Sequence, residues 1–188
     1  MVHRRGFIQA GLALGALPQV GRAADRLQLH GFVFDARFPE AAQVAAAVRG
    51  APRWATAGDM MPLWYERLDL QWKRQPLPLA GVTTADALFV LETLAADRQM
   101  RVVYRGVHGA PRDGWIAHEL NGPRALVMAA GPVGADWAPR LGRAMTRATP
   151  GRSARSAARF VSSAAGSAGR ETALYSWIIA PREVMSTV

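Results

Sequence analysis

The chain contains no cysteine. That excludes disulfides, covalently attached haem, thiolate-held iron–sulfur clusters and cysteine nucleophiles, and it leaves the hydrophobic core as the source of stability. Lysine is nearly absent as well: Lys73 stands alone, and arginine supplies the remaining basic charge behind a formal net charge of +9. A basic balance of this kind predicts solubility and a general pull on anions, and nothing in the pattern points to nucleic acid. Three catalytic or nucleotide signatures are missing too. There is no Gly-x-Ser-x-Gly elbow and no phosphate loop, and a Phe38-Pro39-Glu40 helix start stands where a dinucleotide fingerprint would follow the first strand. No cofactor or metal is therefore expected.

What is present begins with His3-Arg4-Arg5-Gly6-Phe7-Ile8-Gln9, and an apolar stretch rich in Gly and Ala continues to Val20. The stretch is shorter than the ~20 residues a membrane-spanning helix needs. Gly21 and Ala23 put small residues at the minus-three and minus-one places of a cut before Ala24. Residues 1–23 thus resemble a twin-arginine (Tat) signal peptide, with which bacteria export proteins already folded. The resemblance implies a periplasmic destination, and no stable membrane anchor once the signal is cleaved.

The remaining residues, 24–188, suffice for one domain with one core. Leu27 to Phe34 reads as a buried strand ending at Asp35, Pro39 opens an alanine-rich helix, and Arg53 to Thr56 reads as a short strand. Asp59 is placed to cap a helix in which Met61, Trp64, Leu68 and Trp72 form a core stripe. Leu79 to Thr83 reads as the next strand, Thr84 to Asp97 as a capped helix, and Met100 to Tyr104 as a further strand. This alternation predicts an α/β fold, a three-layer domain whose sheet is mainly parallel. Beyond Arg105, the turn Gly109 to Gly114 and the alternating Trp115 to Leu120 predict an antiparallel hairpin. Residues 124–130 fit strand or buried helix, and Trp137 to Arg147 fits a helix. Residues 149–169, rich in Gly, Ser, Ala and Arg, read as a mobile surface insertion. Apolar Thr172 to Ala180 then returns to the sheet as a core strand.

In open α/β sheets, ligands sit beyond the carboxyl ends of the strands. By that rule Asp35, Arg37, Asp59, Thr83, Thr84, Arg105 and His108 are the candidate ligand-binding residues, with helix starts after Gly58 and Thr83 offering N–H groups to a small anion. Capping alone also accounts for Asp59 and Thr84. His108, Asp113 and His118 flank one hairpin, but their spacing matches no established metal motif, which favours a structural role. Asp35 after an apolar strand resembles the haloacid-dehalogenase nucleophile, with Thr83 standing for that family's second motif. Arg37 occupies the place of the family's second Asp, so the activity is not carried over. The arginines at 140, 143, 147, 152, 155 and 159 would make a basic stripe on a helix and read chiefly as a solvated face. Trp64, Trp72 and Trp177 read as packing.

These observations predict an exported accessory or small-ligand-binding protein without independent catalysis, serving a periplasmic redox partner and exposing an apolar patch. The competing expectation is a periplasmic hydrolase or lyase using Asp35 or Asp59 with His108 and Arg105.

Overall fold

A computed structural model describes residues 27–131, 136–148, 154–164 and 170–182. The signal-like segment and the cut before Ala24 lie outside the described residues. Seven strands form one sheet: β1 (Gly31–Asp35), β2 (Arg53–Thr56), β3 (Leu79–Thr83), β4 (Met100–His108), β5 (Trp115–Pro123), β6 (Arg155–Ser163) and β7 (Leu174–Pro181). The helices are α1 (Pro39–Ala47), α2 (Met61–Arg74, with a π-helical turn over Trp64–Leu68), α3 (Ala85–Ala96), α4 (Arg124–Ala130) and α5 (Trp137–Thr146). The fold is therefore α/β, as the alternation of elements predicts.

The strand order is β2-β1-β3-β7-β4-β5-β6. Only β2, β1 and β3 pair in parallel, whereas every ladder from β3 to β6 is antiparallel. This corrects the expectation of a mainly parallel sheet. The alternation through Tyr104 does run β3 and β4 in the same direction, but β7 lies between them and pairs antiparallel with both.

Successive residues of a strand point to opposite faces, and the core divides accordingly. Phe32, Ala80, Val82, Tyr104, Ile178, Ile116 and Leu120 pack with α1, α4 and α5. Val33, Leu79, Trp177 and Ile179 pack with α2 and α3, where Trp64, Leu68 and Trp72 form the core stripe that their spacing predicts. Residues 124–130 resolve as helix, with Leu126, Val127 and Ala130 buried.

The segment expected to be a mobile insertion contains a nine-residue strand, β6, at the edge of the sheet. An edge strand needs only one apolar face. Ala158 and Phe160 pack inward while Arg155, Ala157, Arg159 and Val161 face solvent, a pattern too weak to stand out among so many small residues. Arg155 and Arg159 consequently sit on a strand and not on a helical stripe with Arg140 and Arg143.

On the face packed by α2 and α3, the helices cover β1, β3, β7 and the start of β4. Trp115, Ala117, Glu119 and Asn121 of β5 are exposed on that face, together with the outward residues of β6.

Candidate functional site

Asp35, Thr83 and His108 end β1, β3 and β4 at one end of the sheet, as the carboxyl-end rule predicts. Each is engaged within the protein. Asp35 is fully buried, and its carboxylate accepts bonds from the Arg37 backbone N–H at 3.1 Å, from Nε at 2.9 Å and from Nη2 at 2.6 Å. This fork-to-fork pair holds Arg37 charged, its pKa raised first by the hydrogen bond to Asp35. Arg37 also lies against the Gly58 turn. Asp59 accepts the Met61 N–H at 2.8 Å from one position ahead of the helix, so the N-cap place expected for it is taken by Met60. Thr83 accepts the Trp177 indole N–H at 3.0 Å and donates to the Thr84 carbonyl at 3.2 Å. Thr84 takes the N-cap position of α3 without a side-chain cap bond.

Arg105 does not join this group. Opposite Trp177 on β7, it lies on the face away from His108 and pairs with Glu92 of α3 at 2.5 Å. The arrangement of Asp35 or Asp59 with His108 and Arg105 that a hydrolase or lyase would need is therefore not assembled.

His108 and His118 meet, as their place on one hairpin suggests, and Asp113 remains in the turn with a φ of 49°. The two Nδ1 atoms are 2.8 Å apart; His108 Nε2 lies 2.8 Å from Ser176 Oγ, and His118 Nε2 lies 2.8 Å from Ser162 Oγ. Ser176 Oγ in turn lies 3.2 Å from the Tyr104 hydroxyl, and Ser162 donates to the Ser163 carbonyl. Trp137 stacks on His108 and Phe160 on His118. Gly106, directly opposite Ser176, makes room for the chain, because a Cβ there would meet Ser176 Oγ at 2.4 Å.

Hydrogen-bond counting fixes the direction of this chain. One proton must lie between the two Nδ1 atoms, so the imidazoles are opposite tautomers. In the satisfied order Tyr104 donates to Ser176, Ser176 to His108 Nε2, His108 Nδ1–H to His118 Nδ1, His118 Nε2–H to Ser162, and Ser162 to a backbone carbonyl. The reverse order leaves the buried Tyr104 hydroxyl proton without an acceptor among the described residues. Ser176 thus has the connectivity of an imidazole-activated nucleophile, yet it is fully buried.

Arg170 closes the same region. Its Nε donates to Glu40 Oε1 at 2.9 Å, and its Nη groups donate to the carbonyls of His108, Gly109 and Thr172. Burial, then the charges of His118 and Arg170, hold His108 well below the ordinary imidazole range. Burial and Arg170 push His118 down to about 4. Protonating His118 would also set a second N–H against that of His108. Both imidazoles are neutral in the fold and take up protons from 6.5 downward once unfolded, so stability is full above pH 6.5 and falls as pH drops toward 4. Urea midpoints should hold between pH 7.5 and 6.5 and decline from there to pH 4.5, and the decline should flatten in His118→Gln. An unchanged slope in that variant would refute the assignment.

Sequence reasoning missed Ser176, Tyr104, Ser162, Glu40 and Arg170. The signal for Ser176 was a lone hydroxyl within the otherwise apolar run Leu174 to Ala180. For Arg170, separated from Glu40 by most of the chain, no local signal existed.

Two accessible concavities lie on the uncovered part of the sheet, and a third, of about 490 Å³, is lined by Arg53, Thr56, Asp59, Glu66 and Arg67 at the other edge. A groove of about 610 Å³ is lined by Val107, Gly109, Ala117, His118, Glu119, Arg159, Phe160 and Val161. Beside it a cavity of about 400 Å³ includes Glu92, Arg105, Asn121 and Arg155. Comparison with known protein families, curated proteins and solved structures returns no match for this chain.

Proposed function

We propose that this chain is a Tat-exported periplasmic accessory protein that works by binding a partner, without independent catalysis, in the service of a periplasmic redox enzyme. The carrying observation is the contrast between its two regions. Asp35, His108 and His118 have their polar atoms occupied inside the fold, whereas among the described residues β4, β5 and β6 leave one sheet face open, with Trp115 56 % and Val161 61 % exposed around an apolar groove. Isolated exposed apolar residues such as Phe89 are ordinary; a contiguous apolar groove across three strands is what a docking surface requires. Export through the twin-arginine route fits such a role, since the core has no disulfides and must form on its own.

The test places a photo-reactive residue at Val161 in the full chain and follows it in a bacterial host carrying the partner. The expected result is recovery in the periplasmic fraction with one discrete cross-linked adduct, and loss of both in Arg4→Lys/Arg5→Lys. No adduct at Val161, or an equal yield from a probe at Phe89, would overturn the docking reading.

A further inference from the structure

We infer that the open edge of β6 is a docking site for an extended acidic segment of a partner, added to the sheet as an eighth strand. This deepens, and rests on, the reading of the open half-sheet as a binding surface.

The backbone geometry comes first. In an antiparallel ladder, directly opposed pairs alternate between hydrogen-bonded and non-bonded. Arg124 N–H donates to the Ala154 carbonyl and Ala164 N–H to the Gly114 carbonyl, so the even-numbered residues of β6 bond to β5. Arg155, Ala157, Arg159 and Val161 therefore turn their N–H and C=O groups outward, and no strand pairs with them among the described residues. The edge is long, contains no proline, and shows no register shift against β5. Edge strands are usually shortened, bulged or blocked where they must stay unpaired, and among the described residues arginine is the only such device here.

Charge then selects the occupant. From Arg147 to Arg170 the sequence has five arginines and no acidic residue. Arg159 is paired with Glu119, but the hydrogen bonds of Arg155 go to neutral partners, Asn121 Oδ1 at 2.8 Å and the Val103 carbonyl at 3.1 Å. A second copy would bring one positive strand against another, and like charges across a ladder are unfavourable. The same arginines that repel a copy attract a strand bearing carboxylates at alternate positions, so one feature gives both exclusion and choice.

The probes are two nine-residue peptides: the β6 sequence Arg155–Ser163 itself, and the same sequence with Arg155→Glu and Arg159→Glu. Each is titrated into the full-length protein while amide hydrogen exchange is followed. The acidic peptide should bind at least tenfold more tightly than its basic parent and slow exchange at Arg155, Ala157, Arg159 and Val161 by a similar factor, with the preference shrinking in high salt. Equal binding of both peptides, binding of neither, or protection confined to other amides would overturn the inference. So would protection of these amides without peptide in a dimer seen by sedimentation. A retained Val161 cross-link alongside any of these failures would leave partner docking standing and remove only strand addition at the edge.

Discussion

Replacing Arg170 by Met should destabilise the protein by about 3–5 kcal/mol, the range for breaking one side of a buried ion pair. Arg170 and Glu40 have side chains only 3 % and 4 % exposed, so water cannot replace the lost partner. The substitution strips the guanidinium from the Glu40 carboxylate and removes the donor held by the carbonyls of His108, Gly109 and Thr172. Those three carbonyls belong to the end of β4, the turn after it and the approach to β7. The damage should therefore appear as faster hydrogen exchange at both strands, beyond the shift in urea midpoint. Glu40→Leu/Arg170→Met should recover part of the loss, because the double variant buries no charge. A single variant within 1 kcal/mol of the parent would show that the pair of Arg170 with Glu40 is not what holds this region together.

Gly142→Val should cost about 3 kcal/mol, at the upper end of the range for overpacking a well-packed core. Gly142 lies on α5 where that helix crosses α1, and a Cβ there would stand 2.3 Å from the Val44 carbonyl oxygen and 2.9 Å from the Ala47 Cβ. The first contact is backbone, so rotamer changes cannot relieve it, and the helices must separate. Val44 and Leu141 are almost wholly buried at this crossing, and separation would expose them. Gly142→Ala should show a smaller loss of the same kind, measured by urea unfolding. Were valine tolerated at parental stability, the close crossing of α1 and α5 would be wrong.

The parts of the fold visible in the sequence were those whose signals are local. The stripe of Trp64, Leu68 and Trp72 and the apolar run ending at Asp35 depend on neighbours within a few residues; the stripe emerges as expected, and the run forms a strand only from Gly31 to Asp35, shorter than the expected Leu27 to Phe34. The place of β7 does not. Its composition marks a core strand, but whether it enters between β3 and β4 or flanks them depends on pairings across the whole chain. For β6, alternating small residues hid an edge strand that has only one side to bury. At the site, Asp35, Thr83 and His108 do end their strands while Arg105 lies inside β4, and the chemistry of the strand ends is hidden in the sequence. Asp35 and His108 look available in the sequence because Arg37 in its fork and Ser176 against the imidazole become partners only after folding.

The chain of Tyr104, Ser176, His108, His118 and Ser162 bears on how the sheet finds its alignment. Alternation of inward and outward residues forbids a strand from slipping by one position, since every side chain would change face. It does not forbid a slip by two. Along β5, where buried and exposed residues alternate from Trp115 to Gly122, an offset of two against β4 or β6 would keep apolar groups inside. Such an offset would also carry His118 away from His108 and Ser162 and strand buried imidazoles without partners. The polar crossbar thus acts as a vernier for four strands, penalising the misalignments that hydrophobic patterning alone would accept.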